Sequence, residues 1–477
     1  MNYEKQLATK FFVLLVFCTL LLILSGCTST SARKELFYFN AIYSQGQYIE
    51  AANFELKKHG GEKAGPSNLL QKLQAATALR YAKQYSQSTK LFDECEDAFK
   101  HYNEKGRAGS SLASVLVNDT VLDYRGEEYD GIMVNTYKAL NFWKLGEKDL
   151  ARIEFNRALD RQRRAKERFA KEIAKIKGGI AKKQAEQDAK AKKDKAPSVN
   201  INKAVNNPQV GKILEKKYSN LHAFEAYPDF INPFTTYMAG LFFMSEGDYS
   251  KASTLLKETY GMVGENPFVA DDFVKVEKAL DGKAAQDNCI WIIFENGLGP
   301  VKEELVVNLP IIYADKAVLT GIALPKLKLR KGAYPYLYVN GRSSDKGRIR
   351  TEPLASMERV VQTEFAKDYT GILTRAIISA LMKAYAQHVA EKKYGAPGAL
   401  ASLIYQVATT SADIRIWTAL PKDFQVAKIK CPENGSVTIT IPDGNKVEVK
   451  VSASECSLIY IKIPKAGADI SYDVLKL

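Results

Sequence analysis

Hydrophobic positions along the chain change their period more than once. An unbroken apolar run, Phe11 to Leu24, follows Lys5 and Lys10. From Leu36 to about residue 280, apolar side chains recur every three or four residues, which predicts amphipathic helices. After Ala284 the texture shifts to strands. Ile290-Trp291-Ile292-Ile293-Phe294 reads as a buried strand, and Glu304–Leu309, Ala317–Lys328 and Tyr334–Val339 as three more. A long helix then spans Ser356 to about Lys392, with a stripe that includes Met357, Val361, Phe365, Leu373, Ile377 and Leu381. Arg375 and Lys383 interrupt it, so it should pack on the sheet and not cross a membrane. Gly395, Pro397 and Gly398 break it, and a second helix is expected over Leu400–Thr409. Strands return at Ile414–Ala419, Val426–Lys430, Ser436–Ile441, Val447–Val451 and Leu458–Ile463, with a hairpin turn at Asp443-Gly444.

Within the helical half, four segments repeat one design of helix, tight turn and second helix. The first carries Gly46, Tyr48 and Ala51. The second carries Lys83, Tyr85, Ser88 and Phe92, with lysine where the others have glycine. The third carries Gly146, Ala151, Phe155 and Ala158, and the fourth Gly247, Tyr249, Ala252 and Leu256. These offsets resemble the tetratricopeptide repeat. In such a unit glycine permits the turn, the aromatic fills the angle between the helices, and alanine lets them approach. One pair cannot bury its own apolar face, so pairs must stack. Spacing is irregular: Gly46 to Lys83 is 37 residues and Lys83 to Gly146 is 63. An irregular helical bundle would keep the same core residues. Ser110–Tyr129, between the second and third units, reads equally as a helix start or a loop. The expected fold is multidomain, α then α+β: a TPR-like stack over 36–280, then a β-rich domain with a long inserted helix over 285–477.

The third unit's second helix should run on through Ala165, Phe169, Ile173 and Ile176, and stop at Gly178-Gly179. Low-complexity sequence is expected over 178–205. Charge concentrates here. Residues 161–195 hold 14 Lys and Arg against 5 Asp and Glu, which is +9 of the chain's +14. The basic character is therefore local. It suits either a solvated helix face or contact with anionic lipid or wall polymer. Apart from Phe169 it lacks the interleaved aromatics of a single-stranded nucleic-acid site, so nucleic acid is not an expected partner.

Catalytic motifs are scarce. His59, His101, His222 and His388 have no partner three or four residues on that makes a metal motif, and no metal or cofactor is expected. Ser343-Ser344-Asp345-Lys346 has S-x-x-K spacing without its companion motifs. Glu303-Glu304 and Asp271-Asp272 are adjacent carboxylates, better explained by alternating strand faces or a helix start. Were the C-terminal domain catalytic, its site would be a pocket gathering Glu295, Arg375 and Asp413. Cys431 and Cys456 bracket a hairpin and form the candidate disulfide, while Cys95 reads as a small buried hydrophobe.

At about 14 residues the first apolar run is short of the ~20 that span a bilayer. It ends in Leu24-Ser25-Gly26-Cys27, which resembles the lipobox of bacterial lipoproteins. The resemblance implies a signal peptide over 1–26, cleavage between Gly26 and Cys27, lipid on Cys27, and a tether over 27–35. The bland alternative is an uncut membrane anchor. Thr28 follows the cysteine, which leaves the outer membrane as the expected address. Further on, Phe294-Glu295-Asn296-Gly297, Pro300, Lys302-Glu303-Glu304, Thr374-Arg375-Ala376-Ile377 and Asp413 to Pro421 are together similar to an uncharacterised family of Gram-negative lipoproteins. That resemblance implies TPR-like helices first and a β-rich domain last, with no assigned activity. The expected function is a non-catalytic scaffold or regulator of envelope assembly or cell-wall synthesis, with a membrane and an envelope protein as partners. The alternative is an extracytoplasmic enzyme.

Overall fold

The computed structural model describes residues 33–477, apart from 66–67, 106–123, 219–226, 228–230, 284–287, 314–315, 341–347, 399 and 401–410. The signal segment, Gly26 and Cys27, Ser343-Lys346 and nearly all of the expected helix Leu400–Thr409 lie outside the described residues.

Helices come first: α1 (33–43), α2 (Tyr48–His59), α3 (Leu69–Tyr81), α4 (Tyr85–Lys105), α5 (Glu128–Leu145), α6 (Lys148–Lys193), α7 (Ile201–Val205), α8 (Pro208–Lys217), α9 (Pro233–Ser245), α10 (Tyr249–Val263) and α11 (Pro267–Leu280). Strands β1 (Cys289–Asn296), β2 (Val301–Tyr313), β3 (Lys316–Lys328), β4 (Tyr338–Asn340), β5 (Ile349–Arg350) and β6 (Glu352–Ser356) follow. Helix α12 (Met357–Tyr394) leads to β7 (Asp423–Lys430), β8 (Ser436–Thr440), β9 (Lys446–Lys450), β10 (Ser457–Ile463) and β11 (Ser471–Lys476). The helix-rich part therefore precedes a sheet region that carries one long helix.

Local chemistry accounts for many boundaries. Helices α8, α9 and α11 each start at an Asn-Pro pair: the asparagine side chain accepts an orphan backbone N–H, and proline fills the first helical position. Ser356 caps α12 by accepting from the Arg359 amide. The α1–α2, α3–α4, α5–α6 and α9–α10 turns each contain a residue at positive φ: Gly46, Lys83, Gly146 and Gly247. Lys83 adopts this conformation despite its Cβ, at φ 62°.

Among the described residues three sheets form, with orders β11-β10-β1-β7-β6, β2-β3 and β5-β4-β8-β9. In the largest, β1 runs parallel to β10 and antiparallel to β7. Its two faces explain the unbroken apolar run in β1. Trp291 and Ile293 join a core shared with the helices, while Ile290, Ile292 and Phe294 pack toward the four-stranded sheet. The layers are thus helices, five-stranded sheet and four-stranded sheet. The helix-facing core is continuous from Phe39 and Tyr43 on α1 to Tyr460 and Leu475 near the C-terminus.

Several expectations need correction. Helix α6 does not stop at Gly178-Gly179 but continues to Lys193, 46 residues in all. Each glycine weakens a helix by ~1 kcal/mol, but the flanking Ala, Lys, Gln and Glu are good helix formers. Lys183, Gln187 and Ala191 also bury one face at four-residue spacing. Segment 178–205 is accordingly helical for most of its length. Helix α1 starts by residue 33, which shortens the tether. Ile414–Ala419 is not a strand, because its polar groups are taken elsewhere. Ala419 N–H donates to Gln74, Ala419 C=O accepts from Tyr43, and Thr418 C=O accepts from Arg330. Strand β11 was not among the expected strands.

Candidate functional site

A buried polar cluster lies where helices meet the five-stranded sheet. Glu295, near the end of β1, is fully buried. Its carboxylate accepts hydrogen bonds from the hydroxyls of Tyr81 on α3, Tyr137 on α5 (3.0 Å) and Tyr460 on β10. The Lys462 ammonium is 3.6 Å away and donates to the Gly297 carbonyl at 3.0 Å. The Arg80 guanidinium stands 5.1–5.9 Å from the ring centres of Tyr81, Tyr137 and Tyr460, and donates to Asn141 at 2.6 Å. Burial, then the negative charge of Glu295, pushes the hydroxyls of Tyr81, Tyr137 and Tyr460 well above the usual tyrosine range, so each stays a neutral donor. Burial also pulls the Lys462 ammonium down to about 8, against the attraction of Glu295. A carboxylate so deeply buried is tolerable only because donors and cations surround it.

A second node sits on the same face of β1. Asp272 of α11 accepts from the Tyr237 hydroxyl of α9 (2.5 Å), the Trp291 indole (3.0 Å) and the Lys428 ammonium of β7. Burial raises its carboxyl, opposed by Lys428. Of the adjacent pair Asp271-Asp272, then, the second is structural. Lys428 also reaches Asp271, at 2.6 Å.

The chain's last segment adds a third kind of contact. The Asp469 amide donates to the Gln45 carbonyl at the α1–α2 turn (3.1 Å). Ser471 Oγ donates to Tyr81 C=O at the end of α3 (2.9 Å), and Lys83 lies over the Tyr472 ring. Lys144 Nζ meets Asp473 at 2.7 Å, and the Trp143 indole donates to Lys476 C=O at 3.0 Å, beside the α5–α6 turn. Residues 469–476 thus run past three helix turns in order. At the first turn, a Cβ on Gly46 would come within 2.7 Å of Asp469, so glycine is needed there for space as well as for its φ of 85°.

Of the residues expected to pack the repeats, Tyr48, Ala51, Tyr85, Phe92, Ala151, Phe155 and Ala252 are buried, and Tyr249 is partly so. Glu295, Arg375 and Asp413 are not brought together: Glu295 lies in the tyrosine cluster, Asp413 pairs with Arg415 at 2.8 Å, and Arg375 is half-buried on α12. One small, mostly apolar crevice adjoins Tyr129, Tyr227, Val360 and Glu364, and another lies among Leu337, Ile441, Ile461 and Tyr472, each with room for about one water. Neither holds that trio. Cys431 and Cys456 are not joined. They follow or precede strands on either side of β1, and Cys431 faces the four-stranded sheet while Cys456 packs on the helical side. Cys289 is also close to both: its amide donates to Cys456 Sγ at 3.5 Å, and burial, then Cys456 and Cys289, pushes the Cys431 thiol up. In the basic segment Arg163, Lys166, Lys182 and Lys193 are exposed, and Ala165 is buried. Among the described residues, no helix is long and apolar enough to cross a membrane.

Sequence reasoning names Glu295 as a pocket-lining group of a hypothetical catalytic domain and within the family resemblance, and misses Tyr81, Tyr137, Tyr460 and Lys462. One signal was present: Glu295 and Lys462 are charged residues inside otherwise apolar strand runs. Comparison with protein families, curated proteins and solved structures finds no match for this chain.

Proposed function

We propose that this protein is a lipid-anchored component of a bacterial envelope, moored by Cys27 to the periplasmic face of the outer membrane, and that it works as a non-catalytic scaffold for a protein partner. The observation that carries the reading is Leu24-Ser25-Gly26-Cys27 at the end of a short apolar run behind two lysines. Lipid on the cysteine together with an N-terminal acyl chain passes the two-anchor requirement for stable attachment. Exposed aromatics close behind the anchor are in keeping with it. Phe37 is 69% exposed and Tyr38 55%, on the first helix after the tether. Amphipathic aromatic rings favour the depth at which such a helix would sit.

The scaffold role rests on the four helix–turn–helix pairs, read as a TPR-like stack, whose turns also carry exposed Ile49, Leu145 and Leu150. These apolar side chains stay exposed beside the C-terminal segment that crosses the turns, and they suit a protein partner. The exposed lysines and arginines of α6 suit a second contact, with anionic lipid or wall polymer. Two measurements test the reading. Cys27→Ser should abolish labelling by a palmitate analogue and release the chain from the membrane fraction. Crosslinking of the wild-type lipoprotein in its own envelope should recover one reproducible protein partner. A Cys27→Ser chain that stays membrane-bound would refute the anchor, and turnover of a wall or lipid substrate with no partner recovered would refute the scaffold.

A further inference from the structure

Away from the sheet, α1 and α2 bring Glu35, Glu55 and His59 together. One ligand atom from each lies within 4.8 Å of the other two. Glu55 and His59 are four residues apart on α2, a spacing that puts both on one helix face. Glu35 reaches them from the opening turn of α1. The informative spacing runs backward from the histidine, since the carboxylate precedes it.

The arrangement is more than an ion pair. Glu35 already has two cationic or donor neighbours: one oxygen meets His59 Nε2, and the other meets Lys58 Nζ at 2.6 Å. Glu55 adds a second carboxylate to the same spot. It is 2% exposed, and its Oε2 is buried with no hydrogen-bond partner. Buried acceptors are almost always satisfied, and two carboxylates side by side repel each other. Glu55 also meets Glu35 through a side-chain hydrogen bond, which needs a proton on one of the two acids. A cation between the acids and the imidazole would replace that proton and partner the orphan oxygen.

We propose that Glu35, Glu55 and His59 form a binding site for one divalent transition-metal cation, with zinc the best match. The donor set is one imidazole nitrogen and two carboxylate oxygens, without sulfur. Zinc takes such ligands at ~2.0–2.2 Å, which places tetrahedral neighbours ~3.4 Å apart. Glu35 and His59, now in direct hydrogen-bond contact, would part slightly to admit the ion, while Glu55 needs only a small closing movement. Zinc also outranks manganese and iron(II) for a mixed nitrogen and oxygen site. Two carboxylates balance its charge, and Lys58 can stay on the outer oxygen of Glu35 as a supporting contact. A bound ion would clip the first helix of the body to the second.

The test uses the purified full chain, stripped with EDTA and titrated with zinc chloride by calorimetry and by thermal melts. One saturable zinc per chain is expected, with a rise in melting temperature that EDTA reverses. Glu55→Gln and His59→Gln should each weaken binding at least ~100-fold, more than the 10–100-fold typical of a lost supporting contact. Lys58→Met should bind within a few-fold of wild type. Since Glu55→Gln removes a carboxylate with an unsatisfied oxygen, its metal-free form should melt no lower than wild type, so lost binding is not lost folding. Cobalt(II) in the same site should give visible bands without the near-ultraviolet charge-transfer band of thiolate ligands. Absence of stoichiometric zinc binding overturns the proposal. So does binding that persists in both ligand variants, or a cobalt spectrum dominated by sulfur.

Discussion

Glu295 is held by groups drawn from three elements, and each alone would be a poor tenant of a core. Replacing it with glutamine keeps the shape but removes the charge that the tyrosine hydroxyls and Lys462 have been arranged around. Breaking a buried pair by removing one partner costs about 3–5 kcal/mol. Glu295→Gln is therefore expected to lower the free energy of unfolding by an amount in that range, read from the shift in urea midpoint at unchanged slope. Asp130 offers a pH experiment. Burial raises its carboxyl to about 7, although Tyr124 donates to it at 2.6 Å and the Glu127 amide at 2.9 Å. An acid whose folded pKa is raised binds its proton more tightly when folded. Its stabilising contribution is complete below about 3.8, the unfolded value, and is lost as pH climbs to about 7. The stability of Asp130→Asn relative to wild type should therefore increase from pH 4 to pH 7. A flat difference across that range would contradict the assignment.

At the scale of elements, β11 ties the five-stranded sheet to the helices. It is an edge strand, pairing with β10 on one side, and its flank meets three helix turns. Ending the chain after Gly467 should open the α1–α2, α3–α4 and α5–α6 turns to protease and expose Trp143, while β1, β7 and β10 keep their own pairing. Limited proteolysis and tryptophan fluorescence would show it. Legibility in the sequence follows the range of the forces involved. The four helix turns could be read because positive φ selects glycine, and even Lys83 was placed correctly by its neighbours. Strands β1, β3, β7, β8, β9 and β10 could be read from apolar runs and alternation, and α12 from its stripe. Strand β11, Ser471 to Lys476, shows no such pattern, because it is held in part by polar contacts to helices more than 300 residues earlier. Ile414–Ala419 misled for the matching reason: its side chains look like a strand, but Gln74, Tyr43 and Arg330 occupy its backbone groups. The Glu295 cluster was hidden because Tyr81 and Tyr137 are 214 and 158 residues away.

The whole molecule is organised by the helix–sheet junction. Trp143 donates to the C-terminal strand, Trp291 to Asp272 on α11, and Trp417 to Thr77 on α3. Indole fluorescence therefore reports on the junction, whereas far-ultraviolet circular dichroism reports mainly on the helices. Because the helix-facing core runs without a break between the two halves, both signals should change at the same urea concentration. Two separated transitions would mean that residues 36–280 and 285–477 unfold independently.

Contact between Asp469 and the turn after α1 has a consequence in time. The two partners are 423 residues apart, Gly46 to Asp469. Synthesis at ~5–20 residues per second puts tens of seconds between them. Whether the chain folds during synthesis or after export, the α1–α2 turn stays open until Asp469 arrives, and a chain broken before that residue leaves the turn within reach of proteases.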